Sequence, residues 1–90
     1  MKTRVHVTLH GRVQGVGFRA WAKEKSSKLS LSGWVRKASD GSIEIFVQGK
    51  EEELNDFASL CWDGPSMTYI DDVLIHDANI DKTLTDFKIY

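Results

Sequence analysis

The segment GRVQGVGFR, residues 11–19, carries three glycines within seven positions and an arginine at each end. It follows a run of alternating apolar residues and leads into a helical pattern. A loop that feeds consecutive backbone N–H groups into the first turn of a helix makes a cradle for an anion. The unpaired amides and the helix dipole both favour negative charge there. Gly15 and Gly17 let the backbone curl with few Cβ atoms in the way. Arg19, in the first helical turn, adds a planar and permanently charged fork matched to two oxygens of a phosphate. The bland alternative is a flexible strand–helix connection with a surface arginine, and spacing alone does not separate the two.

The other reactive side chains do not assemble into a competing site. His6 and His10 share a strand face but lie about 13 Å apart along it, too far for one metal. His76 has no evident partner, and Arg12 reads as a solvated loop cation. Cys61 falls on the apolar face of a helix, where a buried structural thiol is expected rather than a nucleophile. As the single cysteine it leaves no internal disulfide and no cysteine-based zinc cluster. Asp71 and Asp72 are adjacent strand residues that point to opposite faces, so they are solvated or mark a bulge. The run Glu51–Glu53 suits the positive end of a helix.

Positioning such a loop requires a small scaffold. The chain has 90 residues, 41% hydrophobic and 28% charged, which suits one domain over residues 1–90 with a modest core. Its net charge of −1 offers no bulk attraction for nucleic acid or an anionic membrane, so any anion site must be local. No apolar run reaches the length of a membrane span, and the expectation is a cytoplasmic monomer.

Arg4 to His10 alternates as a half-buried strand, with Val5, Val7 and Leu9 on one face. Phe18, Trp21, Ala22 and Leu29 then recur at helical spacing. A second strand is expected over Gly33–Ala38, a hairpin turn at SDGS (39–42), and a third strand from Ile43 to Gln48. Leu54, Phe57, Ala58 and Cys61 define a second helix over Glu51–Trp62, stopped by DGP at 63–65. Tyr69–His76 reads as a fourth strand, and TDFKIY as a possible short edge strand. The order is βαββαβ, an α+β class chain folding as a ferredoxin-like α/β sandwich with both helices on one face of the sheet. Strands one and two then run parallel with strand three between them. That topology brings the glycine loop to the same edge as WVRKAS, residues 34–39.

The motif GRVQGVGFR, followed by GW at 33–34, DGSIEIFVQG at 40–49, GP at 64–65 and a terminal FKIY, resembles the acylphosphatase family from end to end. The resemblance implies hydrolysis of the carboxyl–phosphate bond of acyl phosphates by in-line attack of water, with no metal and no cofactor. It implies that backbone amides of Gln14, Gly15, Val16, Gly17 and Phe18 hold the phosphate and that Arg19 pairs with it. The expected partners are a small-molecule acyl phosphate and inorganic phosphate, or a similar anion, as product or inhibitor. No nucleic acid and no membrane is expected.

One position departs from the family pattern. Where the family carries a functional asparagine after GWV and one intervening residue, this chain has Lys37, with the spacing to Gly41 intact. Lys37 shares strand phase with Gly33 and Val35, on the helix-bearing side at the edge of the cradle. An amide both donates and accepts hydrogen bonds, whereas an ammonium only donates. Anion binding is therefore expected to survive and turnover to fall. Asn55 and Asn79 lie in other elements and do not substitute. Two rival readings follow: a phosphate or acyl-phosphate binding module with little catalysis, and a single-stranded RNA-binding domain using Trp34 and Phe46 on the open sheet face. The chain lacks the basic aromatic motif of RNA-recognition domains, so the two rings are expected to pack on each other.

Overall fold

The computed structural model describes residues 2–13, 17–66 and 68–90. Strand β1 spans Lys2–Arg12, helix α1 Phe18–Lys28, β2 Ser32–Lys37, β3 Ile43–Lys50, α2 Glu51–Asp63, β4 Tyr69–Ala78 and β5 Phe87–Ile89. One mixed sheet runs in the order β4-β1-β3-β2-β5. β3 is antiparallel to both β1 and β2, so those two run parallel with β3 between them. β4 pairs antiparallel with β1, and β5 adds a parallel edge beside β2. This is the ferredoxin-like sandwich expected from the order of elements, completed by the short C-terminal strand.

The pleat sorts the side chains. Val7, Leu9, Val35, Ile43, Ile45 and Val47 are buried on one sheet face. They meet Phe18 and Ala22 from α1, and Leu54, Phe57 and Cys61 from α2. α1 lies over β2 and β5, while α2 lies over β1, β3 and β4. Burial pushes the Cys61 thiol up to about 12, so it stays protonated and inert at neutral pH, as a packing residue should.

Strand pairing differs from a regular ladder at one place. His10 faces Asp72 but Gly11 faces Ile70, so Asp71 is the extra residue of a bulge. Of the two expectations for the acidic pair, the bulge holds, and both residues are exposed as well.

Gly33 sits where no other residue fits. Its φ is 151°, and a Cβ there would be driven into the carbonyl of Phe46 on β3. Gly33→Ala is therefore expected to cost about 3 kcal/mol, lowering Tm by roughly 15 °C in a thermal melt. A shift of only a few degrees would mean that β2 relaxes away from β3 without penalty.

The opposite face is covered by its own side chains. His6 stacks on Phe46 with centroids 4.3 Å apart and planes 9° off parallel. Trp34 leans on Phe46 at 4.8 Å, and Tyr90 meets Trp34 edge-on at 6.1 Å. The Arg4 guanidinium lies 4.6 Å above Phe46, and that of Arg36 lies 5.5 Å from the centre of Trp34. The rings pack on one another, as expected, and cations cap them.

Glu44 ties this face together. Arg36 Nη2 lies 2.6 Å and Nε 2.8 Å from its Oε2, and His6 Nε2 lies 2.9 Å from its Oε1. Burial on its own raises the Glu44 carboxyl, but hydrogen bonds from Arg36 and His6 outweigh it and leave the group below its ordinary value of 4.5. Because the folded value is the lower one, this stabilisation is complete above about 4.5 and is lost as pH falls through the folded value. Urea titrations should show the stability gap between wild type and Glu44→Gln narrowing on acidification. A gap independent of pH would show that the pair adds nothing through ionisation.

Candidate functional site

Helix α1 opens at Gly17, whose left-handed backbone (φ 74°, ψ 25°) turns the chain into the helix. The carbonyl of Gly17 accepts from Trp21 N at 3.0 Å, closing the first turn. Among the described residues no side chain caps this end, and no acidic residue occupies its first turn. Among the described residues nothing offsets the positive end of the helix dipole.

A cavity of about 290 Å³ opens beside that helix start. Its wall takes Val13, just after β1, Gly17, Phe18, Arg19 and Ala20 from the helix start, Lys37 from the end of β2, Ile43 from β3 and Ile89 from β5. Arg19 and Lys37, 18 positions apart in the chain, therefore share one pocket. The register explains why. Lys37 pairs with Ile43, which is buried on the helix side, so both project to the face that α1 covers. The parallel β1–α1–β2 crossover delivers the helix start to that same edge.

Arg19 is held by the far end of the chain. Its Nη1 donates to the main-chain oxygen of Tyr90 at 2.9 Å. Tyr90 N in turn donates to the Val35 carbonyl at 2.8 Å. The guanidinium is thereby referenced to β2, the strand that carries Lys37. Sequence reasoning assigned TDFKIY to an edge strand but did not foresee that it closes the pocket and anchors the arginine. The alternation of Phe87, Lys88 and Ile89 was the available signal. Phe87 is buried in the core, which directs Ile89 to the same side.

Gln14, Gly15 and Val16, three of the five residues expected to offer cradle amides, lie outside the described residues. Gly17 and Phe18 do line the cavity. A neighbouring groove holds His10, Arg12 and Asp40 and shares Val13 with it. Lys37 also borders a third groove with Arg36, Asp40 and Glu44. The two nearby carboxylates already have partners. Glu44 pairs with Arg36 and His6, and Asp40 Oδ1 accepts from Ser42 Oγ at 2.6 Å and from Ser42 N at 3.0 Å. Among the described residues no group of three or more His, Cys, Asp or Glu side chains is placed to hold a metal. No helix there is long and apolar enough to cross a membrane.

Fold and pocket together define a small two-layer α+β protein with a cationic cavity at a strand–helix junction. Comparison with known proteins gives that class a family. The acylphosphatase family model matches residues 5–89. An acylphosphatase of Alcanivorax borkumensis is 37% identical over 79 residues, covering 88% of this chain and 86% of that protein. Among solved structures, an acylphosphatase from Coxiella burnetii superposes with a TM-score of 0.95 at 30% identity, over 99% of this chain and 93% of that one. The acylphosphatase of Bacillus subtilis gives 0.93 at 30% identity, over 100% and 99%. The chain belongs to the acylphosphatase family.

Proposed function

We propose that the protein hydrolyses the carboxyl–phosphate bond of small acyl phosphates, using Arg19 and the amides of the loop ending at Phe18 to hold the phosphoryl group. The observation that carries this reading is Arg19 in the first turn of α1, hydrogen-bonded to Tyr90 and lining a cavity with Lys37, in a chain of this family.

The chemistry needs little more. The leaving group is a carboxylate, a weak base that departs without protonation, so no general acid has to be found. What remains is to hold the phosphoryl group, neutralise charge on its oxygens and place a water in line. The Arg19 fork and the loop amides supply the first two. Lys37 adds a second cation, and in that protonated form it only donates hydrogen bonds, so the ammonium cannot accept a proton from the attacking water. Substrate oxygens take that proton instead, and turnover is correspondingly slow. The reading carries with it a cytoplasmic monomer working on a diffusible substrate.

The test is release of inorganic phosphate from acetyl phosphate by the purified protein, with inorganic phosphate added as competitor. Turnover above the Arg19→Ala background and competitive inhibition are expected. Phosphate binding with no turnover above that background would favour the second reading, a binding module, for which Lys37 is the specific observation.

A further inference from the structure

Acyl phosphates have two electrophilic centres, and an amine attacks the carbonyl carbon rather than phosphorus. Lys37 brings a primary amine to the pocket that carries Arg19. We propose that Lys37 is a self-acylation site, at which an acyl phosphate bound beside Arg19 transfers its acyl group to Nζ in competition with hydrolysis. The inference rests on the pocket being the acyl-phosphate site.

The geometry leaves this side chain available. Lys37 is exposed at the end of β2, and among the described residues its side chain makes no ion pair or hydrogen bond. The charged groups around it are Arg19 from α1, Arg36 on its own strand, Asp40 in the hairpin turn and Glu44 on β3. Neither acid ties it down, because Arg36 and His6 occupy Glu44 and Ser42 occupies Asp40. Its flexible four-carbon stem can therefore carry the nitrogen from the groove on one side to the cavity on the other. Lys25 and Lys28, by contrast, both lie 3.6 Å from Glu24 on α1, away from the pocket.

The step balances without a further reagent. The neutral amine nitrogen bonds to the carbonyl carbon and the carbon–oxygen bond to phosphate breaks. The electron pair leaves with phosphate, and the proton shed by nitrogen goes to solvent or to the departing phosphate. The products are an Nε-acyl-lysine and inorganic phosphate. Arg19 assists by stabilising the leaving phosphate, and holding both reactants in one pocket supplies the proximity that a free lysine lacks. Acylation then removes one of the two cations from the pocket wall and leaves an amide that both donates and accepts.

The experiment incubates the purified protein with acetyl phosphate and follows acylation of each lysine by peptide mass spectrometry, alongside phosphate release. Wild type, Arg19→Ala and Lys37→Arg are compared, with and without inorganic phosphate as competitor. Lys37 should label at least about tenfold faster than Lys23 or Lys82, more slowly in Arg19→Ala or with phosphate present, and faster as pH rises. The proposal is overturned if Lys37 labels no faster than those surface lysines, if phosphate gives no protection, or if the adduct is phosphoryl rather than acyl. Hydrolysis without preferential labelling sinks the acylation and leaves the hydrolase standing. Preferential, phosphate-protected labelling without hydrolysis supports the acylation and sinks the hydrolase.

Discussion

Arg19→Ala is expected to lower kcat/KM for acetyl phosphate by on the order of 10²–10³ while leaving the fold intact. The two halves of this result have separate causes. Catalytically, on the proposed reading, the guanidinium is a permanent charge that holds negative charge on the phosphoryl group, and its fork matches two oxygens at once. Structurally, the side chain gives up one exposed hydrogen bond, to the Tyr90 main-chain oxygen at 2.9 Å, worth about 1 kcal/mol. A thermal melt should therefore shift by only a few degrees. Arg19→Lys keeps the charge but loses the fork and the anchor to Tyr90, and its rate should lie between the two. A loss smaller than tenfold in the alanine variant, with the fold unchanged, would remove Arg19 from the anion clamp.

The parts legible in the sequence were those set by local pattern. Alternation of Val5, Val7 and Leu9 chose the buried face of β1, Asp40–Gly41 marked the hairpin, and the spacing of Leu54, Phe57 and Cys61 marked α2. Topology then carried Arg19 and Lys37 to one edge, because a parallel crossover leaves few alternatives. What local pattern could not show were contacts made across the chain. The bulge at Asp71 exists only in register with β1, about sixty positions away. The Arg19 anchor joins residues 71 positions apart, and the His6–Glu44 pair joins residues 38 apart. Each depends on which strands neighbour each other, a property of the assembled sheet. The longer β1 has the same origin. Lys2 and Thr3 continue the strand because Lys50 and Gly49 of β3 are there to pair with them.

Lys37→Asn is expected to raise kcat for acetyl phosphate by about tenfold or more and at the same time to weaken inhibition by inorganic phosphate. Both changes follow from one exchange of chemical groups at the end of β2. On the proposed reading the ammonium draws phosphate by charge and so holds substrate and product alike, and uniform binding of this kind does not speed the chemical step. An amide gives up that attraction but gains an accepting oxygen, which can fix the orientation of a water approaching phosphorus. Since Lys37 faces the cavity from the same strand that anchors Tyr90 and hence Arg19, a shorter side chain there leaves the arginine in place. The effects should therefore separate cleanly: kcat rises, phosphate inhibition falls, and Tm stays close to that of the parent. A variant that binds phosphate less well but turns over no faster would show that water orientation does not limit the rate. The charge at position 37 would then act on product release or substrate capture alone.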